Sequence, residues 1–152
     1  MLSQQIRTWD VLDPRVLDVL RDTPREAFVP EAWRDLAFAD TEVPLAHDQM
    51  MMSPKVEARL LQELAIEPTD AALEIGTGSG YLAACLGRLA ASVVSLEIFP
   101  DLSQDAAAKL EQAGISNVEL REGDATQAAF DRKFDVIAVT AAISATCANT
   151  AI

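Results

Sequence analysis

The blocks of apolar and polar residues along this chain predict a helical front followed by strands and helices in alternation. Ser3 to Trp9 begins a helix. Asp13-Pro14 then offers an N-cap followed by proline at the first helical position, opening a helix over Arg15–Arg21. Ser53-Pro54 repeats this start and leads into Lys55–Ile66, where Val56, Leu60, Leu61 and Leu64 share one helical face that packs on a core. Glu67-Pro68-Thr69-Asp70 is a turn whose proline ends that helix. A strand from Ala71, a helix over Tyr81–Ala90, a strand over Val93–Glu97 and a helix over Asp101–Ala113 follow, the last stopped by Gly114. Val118–Glu122 leads as a strand into Gly123-Asp124-Ala125, and Phe134–Thr140 reads as a buried fourth strand with Asp135 at its entry. The link from Thr126 to Lys133 is short for a crossover helix and holds one or two turns at most. Strands alternating with helices predict a mostly parallel sheet with right-handed crossovers.

The chemistry concentrates between the first strand and the helix after it, where residues 74–80 read Glu-Ile-Gly-Thr-Gly-Ser-Gly. Gly76, Gly78 and Gly80 permit a tight turn and close approach of a ligand to the main chain. Amides at the start of the next helix supply donors and partial positive charge. A dinucleotide fingerprint needs a glycine at the sixth position counted from Gly76, and Tyr81 stands there. The alternate spacing, with Glu74 ahead of it, resembles instead the first motif of class I S-adenosylmethionine-dependent methyltransferases, in which the turn wraps the amino-acid end of the cofactor. An ordinary glycine-rich loop is the bland alternative.

Two further acids fit such a site. Glu97 ends the second strand ~20 residues beyond the turn, where an acid accepts hydrogen bonds from ribose hydroxyls; a surface glutamate is the other reading. Asp124 ends the third strand and could meet an adenine amino group, although Gly-Asp is also a common turn. The expected cofactor site is therefore Glu74, Gly76, Thr77, Gly78, Ser79, Gly80, Glu97, Asp124 and Ala125.

Composition changes the picture mainly by exclusion. The 152 residues suit one domain with a sizeable core: a helical and loop region over 1–70, a cofactor-binding core over 71–140 and an irregular tail over 141–152. With 24 acids against 12 bases the net charge is −12, which disfavours nucleic acid and anionic membranes as partners. No segment reads as membrane-spanning or as a signal sequence, so the cytoplasm is the expected place. Cys85, Cys147 and the lone His47 have no metal-ligand spacing, and no metal is expected.

A more specific resemblance rests on Gln4-Gln5-Ile6-Arg7, Asp13-Pro14-Arg15-Val16-Leu17, Pro24-Arg25-Glu26-Ala27-Phe28-Val29-Pro30 and Leu36-Ala37-Phe38-Ala39-Asp40, followed by the motifs above. Together they resemble the protein-L-isoaspartate (D-aspartate) O-methyltransferase family from about Ser3 to Ala142. The resemblance implies a Rossmann-like class I methyltransferase fold with an N-terminal helical extension, S-adenosylmethionine as cofactor, and methyl transfer to the free carboxylate of isoaspartyl residues in damaged protein. A carboxylate is already nucleophilic and the sulfonium methyl already activated. Alignment and exclusion of water then carry the catalysis, with the acids binding cofactor rather than acting as bases.

The sequence departs from the family pattern twice. Where the family's substrate loop reads Gly-x-Gly-Gln-Thr-x-Ser-x-Pro, this chain has Ala46-His47-Asp48-Gln49-Met50-Met51-Met52-Ser53-Pro54. Gln49 and Pro54 match, whereas Met50 and Met52 replace the hydroxyl positions and both glycines are gone. The methionines form a flexible apolar patch on the core or a partner, or else line a less polar substrate pocket. Asp48 adds a charge repulsive to a carboxylate substrate, which His47 could offset. The second departure is Ile143–Ile152, which does not resemble the family's continuation. It suggests a shortened product whose sheet is incomplete at the C-terminal end, with the fourth strand an edge open to self-association. Two other functions stay open on the residues: a cofactor-binding relative with impaired catalysis, and a dinucleotide-dependent oxidoreductase.

Overall fold

The structure, a computed structural model, describes residues 10–141. The expected helix over Ser3–Trp9 and the tail beyond Ala141 lie outside the described residues. Helix α1 (Pro14–Asp22) begins as the sequence predicts, with Asp13 Oδ1 accepting the Arg15 N–H at 2.9 Å and Pro14 in the first turn. Two 3₁₀ segments, Arg25–Ala27 and Glu31–Leu36, complete the helical front.

The segment read as a substrate loop is instead a hairpin. Strand β1 (Val43–Pro44) pairs antiparallel with β2 (Met50–Met51). Its turn uses His47 and Asp48 at φ 59° and 54°, closed by Gln49 N–H on Ala46 O at 3.2 Å. Positive φ at both central positions is the signature of a hairpin turn in which glycine or asparagine is the usual signal. His47 hides that signal.

Helix α2 (Pro54–Glu63) stops short of the expected Ile66, because Ala65 turns left-handed at φ 47° before Pro68 is reached. Its buried stripe also differs from the apolar one. Pro54, Glu57, Ala58 and Leu61 face inward, while Val56 is 48% exposed and Leu60 and Leu64 are half-buried against the core. The stripe is displaced because Glu57 is buried against Arg25.

The main sheet contains β3 (Ala71–Ile75), β4 (Ser92–Glu97), β5 (Val118–Glu122) and β6 (Val136–Val139), all parallel, in the order β5-β4-β3-β6. Helix α3 (Tyr81–Leu89) joins β3 to β4 and α4 (Pro100–Gln112) joins β4 to β5. The chain then returns to the far side of β3, so strand order reverses between β3 and β6. Open parallel sheets bind ligands at the carboxyl ends beside such a reversal. One face of the sheet, with Ala72 and Val93, packs under α3 and the helical front. The other, with Leu73, Ile75, Val94 and Leu96, is covered by Ala125, Ala128, Phe130 and Phe134. The Thr126–Lys133 link that provides this cover contains no helical turn. It makes one turn from Asp124 to Gln127 and is then irregular, its Phe130 ring meeting Phe134 edge-on at 5.4 Å.

Strand β6 is not buried as the sequence suggests. Ile137 and Val139 are 55% and 52% exposed, and β6 is paired on one side only among the described residues. Asp135 does hold the strand entry, its Oδ2 accepting the Ala71 N–H at 2.9 Å.

Deep under the front, Arg25 is 1% exposed. Its Nε donates to Ala37 O at 2.6 Å and Nη2 to Met52 O at 2.7 Å, while Nη1 meets the Glu57 carboxylate. Burial pushes its pKa down to about 10, which leaves it charged at neutral pH. Removing one partner of a buried pair strands the other without water. Arg25→Met is expected to cost about 3–5 kcal/mol in urea unfolding, and Arg25→Met with Glu57→Leu to recover most of it. A loss in the double variant equal to the sum of the Arg25→Met and Glu57→Leu losses would show that the charges do not depend on each other.

Candidate functional site

The glycine turn leaves the end of β3 with its hydrogen bonding intact. Gly76 N–H donates to Leu96 O at 2.8 Å, extending the ladder to β4, and Gly80 N–H closes the turn on Thr77 O at 2.9 Å. At Gly80, φ is 83° and an added Cβ would stand 3.0 Å from the Ala106 Cβ of α4, so glycine lets the two helices approach. Gly78, at φ 52°, donates its N–H to Glu97 Oε2 at 2.8 Å. The other Glu97 oxygen accepts the Phe99 N–H at 3.1 Å, and the side chain is 5% exposed. The parallel register that sets Ile75 opposite Leu96 thus brings the acid at the tip of β4 onto the turn.

Glu74 is fully buried and lies opposite Ser95 in the register. Ser95 Oγ donates to Glu74 Oε2 at 2.5 Å and lies 2.6 Å from Thr77 Oγ1, while Glu74 Oε1 has no protein partner among the described residues. Burial pushes Glu74 up to about 8; the Ser95 hydrogen bond opposes the shift and the nearby Glu97 adds to it. Glu74 therefore holds its proton at neutral pH. Across the strand reversal, Thr140 Oγ1 donates toward Ile75 O at 3.1 Å and Gly76 O at 2.8 Å. Sequence reasoning passed over Ser95 and Thr140. The available signal was a polar residue inside or ending an otherwise apolar strand, with Ser95 two residues from Glu97 on the same side.

One cavity unites this turn with the hairpin. Gly76, Thr77, Gly78, Ser79, Glu74 and Thr140 form one side, and Leu45, Met50, Met51, Met52, Leu82 and Glu57 the other. It is narrow, about 40 Å³, against ~300–1,000 Å³ for an ordinary ligand pocket. Of the expected loop residues, Met50 and Met52 reach it and two do not. The Gln49 side-chain amide donates back to His47 O at 2.9 Å, and Ser53 is buried at the start of α2 without a capping bond.

Asp124 and Ala125 are not drawn into this cavity either. Exposed Asp124 accepts the Thr126 N–H at 2.8 Å and hydroxyl at 2.7 Å, which hold its carboxyl below the usual range. It borders a separate depression with Leu96, Glu122 and Gly123, while Ala125 packs on the second core cluster. That depression adjoins Glu97, whose backbone carbonyl accepts the Gly123 N–H at 2.9 Å. Among the described residues no His, Cys, Asp or Glu group of three or more is arranged to hold a metal, and no helix is long and apolar enough to cross a membrane.

A parallel sheet reversing beside β3, a glycine turn at that point and a buried acid at the next strand's tip define a Rossmann-like class I S-adenosylmethionine-dependent methyltransferase fold. The sequence model of the protein-L-isoaspartate(D-aspartate) O-methyltransferase family matches residues 1–149, and the chain belongs to that family. It is 44% identical to a protein-L-isoaspartate O-methyltransferase of Rhodopseudomonas palustris, over 84% of this chain and 58% of the relative. With that of Methanoculleus marisnigri it shares 41% identity over 93% of this chain and 65% of the relative. The chain thus spans less than two thirds of the length of these curated relatives. A solved protein-L-isoaspartate O-methyltransferase superposes with a TM-score of 0.79 at 25% identity, covering 91% of this chain and 46% of that one. A Plasmodium falciparum structure in complex with S-adenosyl-L-homocysteine shares the fold, with a TM-score of 0.71 at 21% identity over 83% of this chain and 63% of that one. Family membership sets aside the dinucleotide-oxidoreductase alternative.

The buried acid has a thermodynamic signature. Between its ordinary value of 4.5 and about 8, folded Glu74 keeps a proton that the unfolded chain has lost. Stability should therefore fall as pH rises through this window, by up to about 1.4 kcal/mol per pH unit. Glu74→Gln is expected to abolish that slope in urea unfolding. An unchanged slope would mean that Glu74 is ionised in the folded protein.

Proposed function

We propose that this chain binds S-adenosylmethionine and serves as the cofactor-binding part of an enzyme that methylates the free carboxylate of isoaspartyl residues in protein. The observation that carries the reading is the Glu97 carboxylate joined to the Gly78 N–H at the carboxyl edge of the sheet. Glu97 retains lone pairs for two ribose hydroxyls. Gly76, Thr77, Gly78, Ser79 and Gly80 enclose the amino-acid end, and the neutral Glu74 carboxyl, its Oε1 unpartnered, offers a hydroxyl donor there. Asp124, in the adjoining depression, borders the adenine, and Ala125 beside it packs beneath on the second core cluster. The cofactor supplies an activated sulfonium methyl; the chain's own task is to orient an acceptor oxygen and exclude water. The chain would work in the cytoplasm on isoaspartyl-containing protein or peptide.

The hairpin favours a second reading on the acceptor side, a relative that binds cofactor but transfers poorly to isoaspartate. Met50 and Met52 bring thioethers where a carboxylate acceptor needs donors, and Glu57 and Glu74 stand in the same cavity. Calorimetry with S-adenosylhomocysteine is expected to show binding that Glu97→Ala weakens by about 1.5–3 kcal/mol. Undiminished affinity in a folded variant would remove Glu97 from the site. On an isoaspartyl peptide beside its aspartyl twin, the unmodified chain is expected to be slow and Met50→Thr with Met52→Ser faster. Robust turnover by the unmodified chain would sink the second reading.

We further propose that the outer edge of β6, with Ile137 and Val139 half exposed, pairs with a second copy when the 152-residue chain stands alone. Hydrogen exchange of the Val136–Val139 amides should then become slower as protein concentration rises. Concentration-independent exchange in a sedimenting monomer would refute the pairing.

A further inference from the structure

The hairpin of β1 and β2 is held at its two ends by different means. Its root is buried: Val43 and Met51 lie in the core, and Arg25 grips Met52 O. Its tip rests on the surface through His47. The imidazole stacks on Phe99, with centroids 4.2 Å apart and planes 2° apart, and Nε2 lies 2.8 Å from both Asp101 carboxylate oxygens. Phe99 and Asp101 flank Pro100 at the start of α4, and the Phe99 N–H is bound to Glu97. Glu97 in turn holds Gly78, and Leu45 of the hairpin would stand 3.3 Å from a Cβ at Gly78. Hairpin tip, Phe99, Glu97, Gly78 and Leu45 thus close a ring of contacts, of which Gly78 and Leu45 also line the narrow cavity.

The tip carries a backbone cost that a glycine would remove. His47 and Asp48 are consecutive non-glycine residues at positive φ, each disfavoured by contact of its Cβ with the backbone. A side chain at 47 is compensated only by what it touches, and it touches Phe99 and Asp101. The cavity against the glycine turn has room for a few waters rather than a cofactor's amino-acid end, so admission of that ligand requires the hairpin to shift. With the root locked in the core, the tip contact is the one that can open.

We propose that His47 is a positioning residue: through Phe99 and Asp101 it latches the hairpin over the glycine turn and sets how long a nucleoside ligand with an amino-acid tail stays bound. The inference rests on the cofactor reading above and adds to it a residue that touches neither cofactor nor acceptor. In the full 152-residue chain, His47→Gly relieves the strained backbone while removing both latch contacts. Release of labelled S-adenosylhomocysteine, chased with excess unlabelled ligand, is expected to accelerate about three- to tenfold, with the thermal midpoint unchanged or raised. His47→Phe keeps the stack and should restore most of the dwell time; Asp101→Asn should fall between. An unchanged release rate in His47→Gly overturns the latch. So does faster release that accompanies a lowered midpoint and is not restored by His47→Phe. Failure of the unmodified chain to bind S-adenosylhomocysteine at all overturns the cofactor reading and the latch with it.

Discussion

A guanidinium sealed from water must find acceptors within the protein, and Arg25 finds them on three separate segments. Ala37 O closes the second 3₁₀ segment over it, Met52 O ends the hairpin on it, and Glu57 commits a buried position of α2 to it. Its face lies over the Tyr81 ring at 5.1 Å, and Tyr81 opens the helix that leaves the glycine turn. The distance of the hairpin's root from the turn is therefore fixed by a charge in the core. The alternative, an uncompensated buried ion, costs more than any local preference of these short elements can offset.

The site gathers three buried acids and treats each differently. Glu57 is neutralised by Arg25. Glu97 spreads its charge over two backbone N–H groups, one from the turn and one from the segment leading into α4. Glu74, with one hydroxyl donor and an idle oxygen, is left protonated. In a chain of net charge −12 this matters, because charged acids crowded at a sheet edge would repel each other and any anionic acceptor. What the cavity presents near neutral pH is then thioethers and leucines on one hand and, on the other, the neutral Glu74 carboxyl, the Arg25-paired Glu57, Thr140 and the turn residues Gly76 to Ser79.

Register is what makes these groups one site. Parallel pairing sets Glu74 beside Ser95 and aligns the end of β3 with that of β4, so the turn meets Glu97 without any loop having to reach for it. The return of the chain to β6 brings Thr140 down on the carbonyls of Ile75 and Gly76, and an added Cβ at Gly76 would lie 2.7 Å from the Ala141 Cβ. A glycine is needed at 76 because another strand's end crosses close above it, as well as for its own turn.

The sequence by itself determined the alternation of strands and helices, the proline-led starts of α1 and α2, the Gly114 stop of α4, and the glycine turn with Glu97 downstream. Each is written within one segment, as periodicity, capping chemistry or permitted φ, and needs no distant partner to be read. The stretches carrying the family resemblance were legible for the same reason. Only the tertiary structure decided that Glu57, not Val56, faces inward, that Ser95 and Thr140 join the site, and that Gln49 and Ser53 turn away from the cavity. It also made the methionine stretch a hairpin whose turn bears His47 and Asp48, and kept Asp124 in a neighbouring depression. These outcomes depend on strand register, on which charges find partners out of water, and on contacts 32 residues apart such as Arg25 with Glu57. Local pattern cannot encode them, because the free energy that selects them exists only once the segments have met.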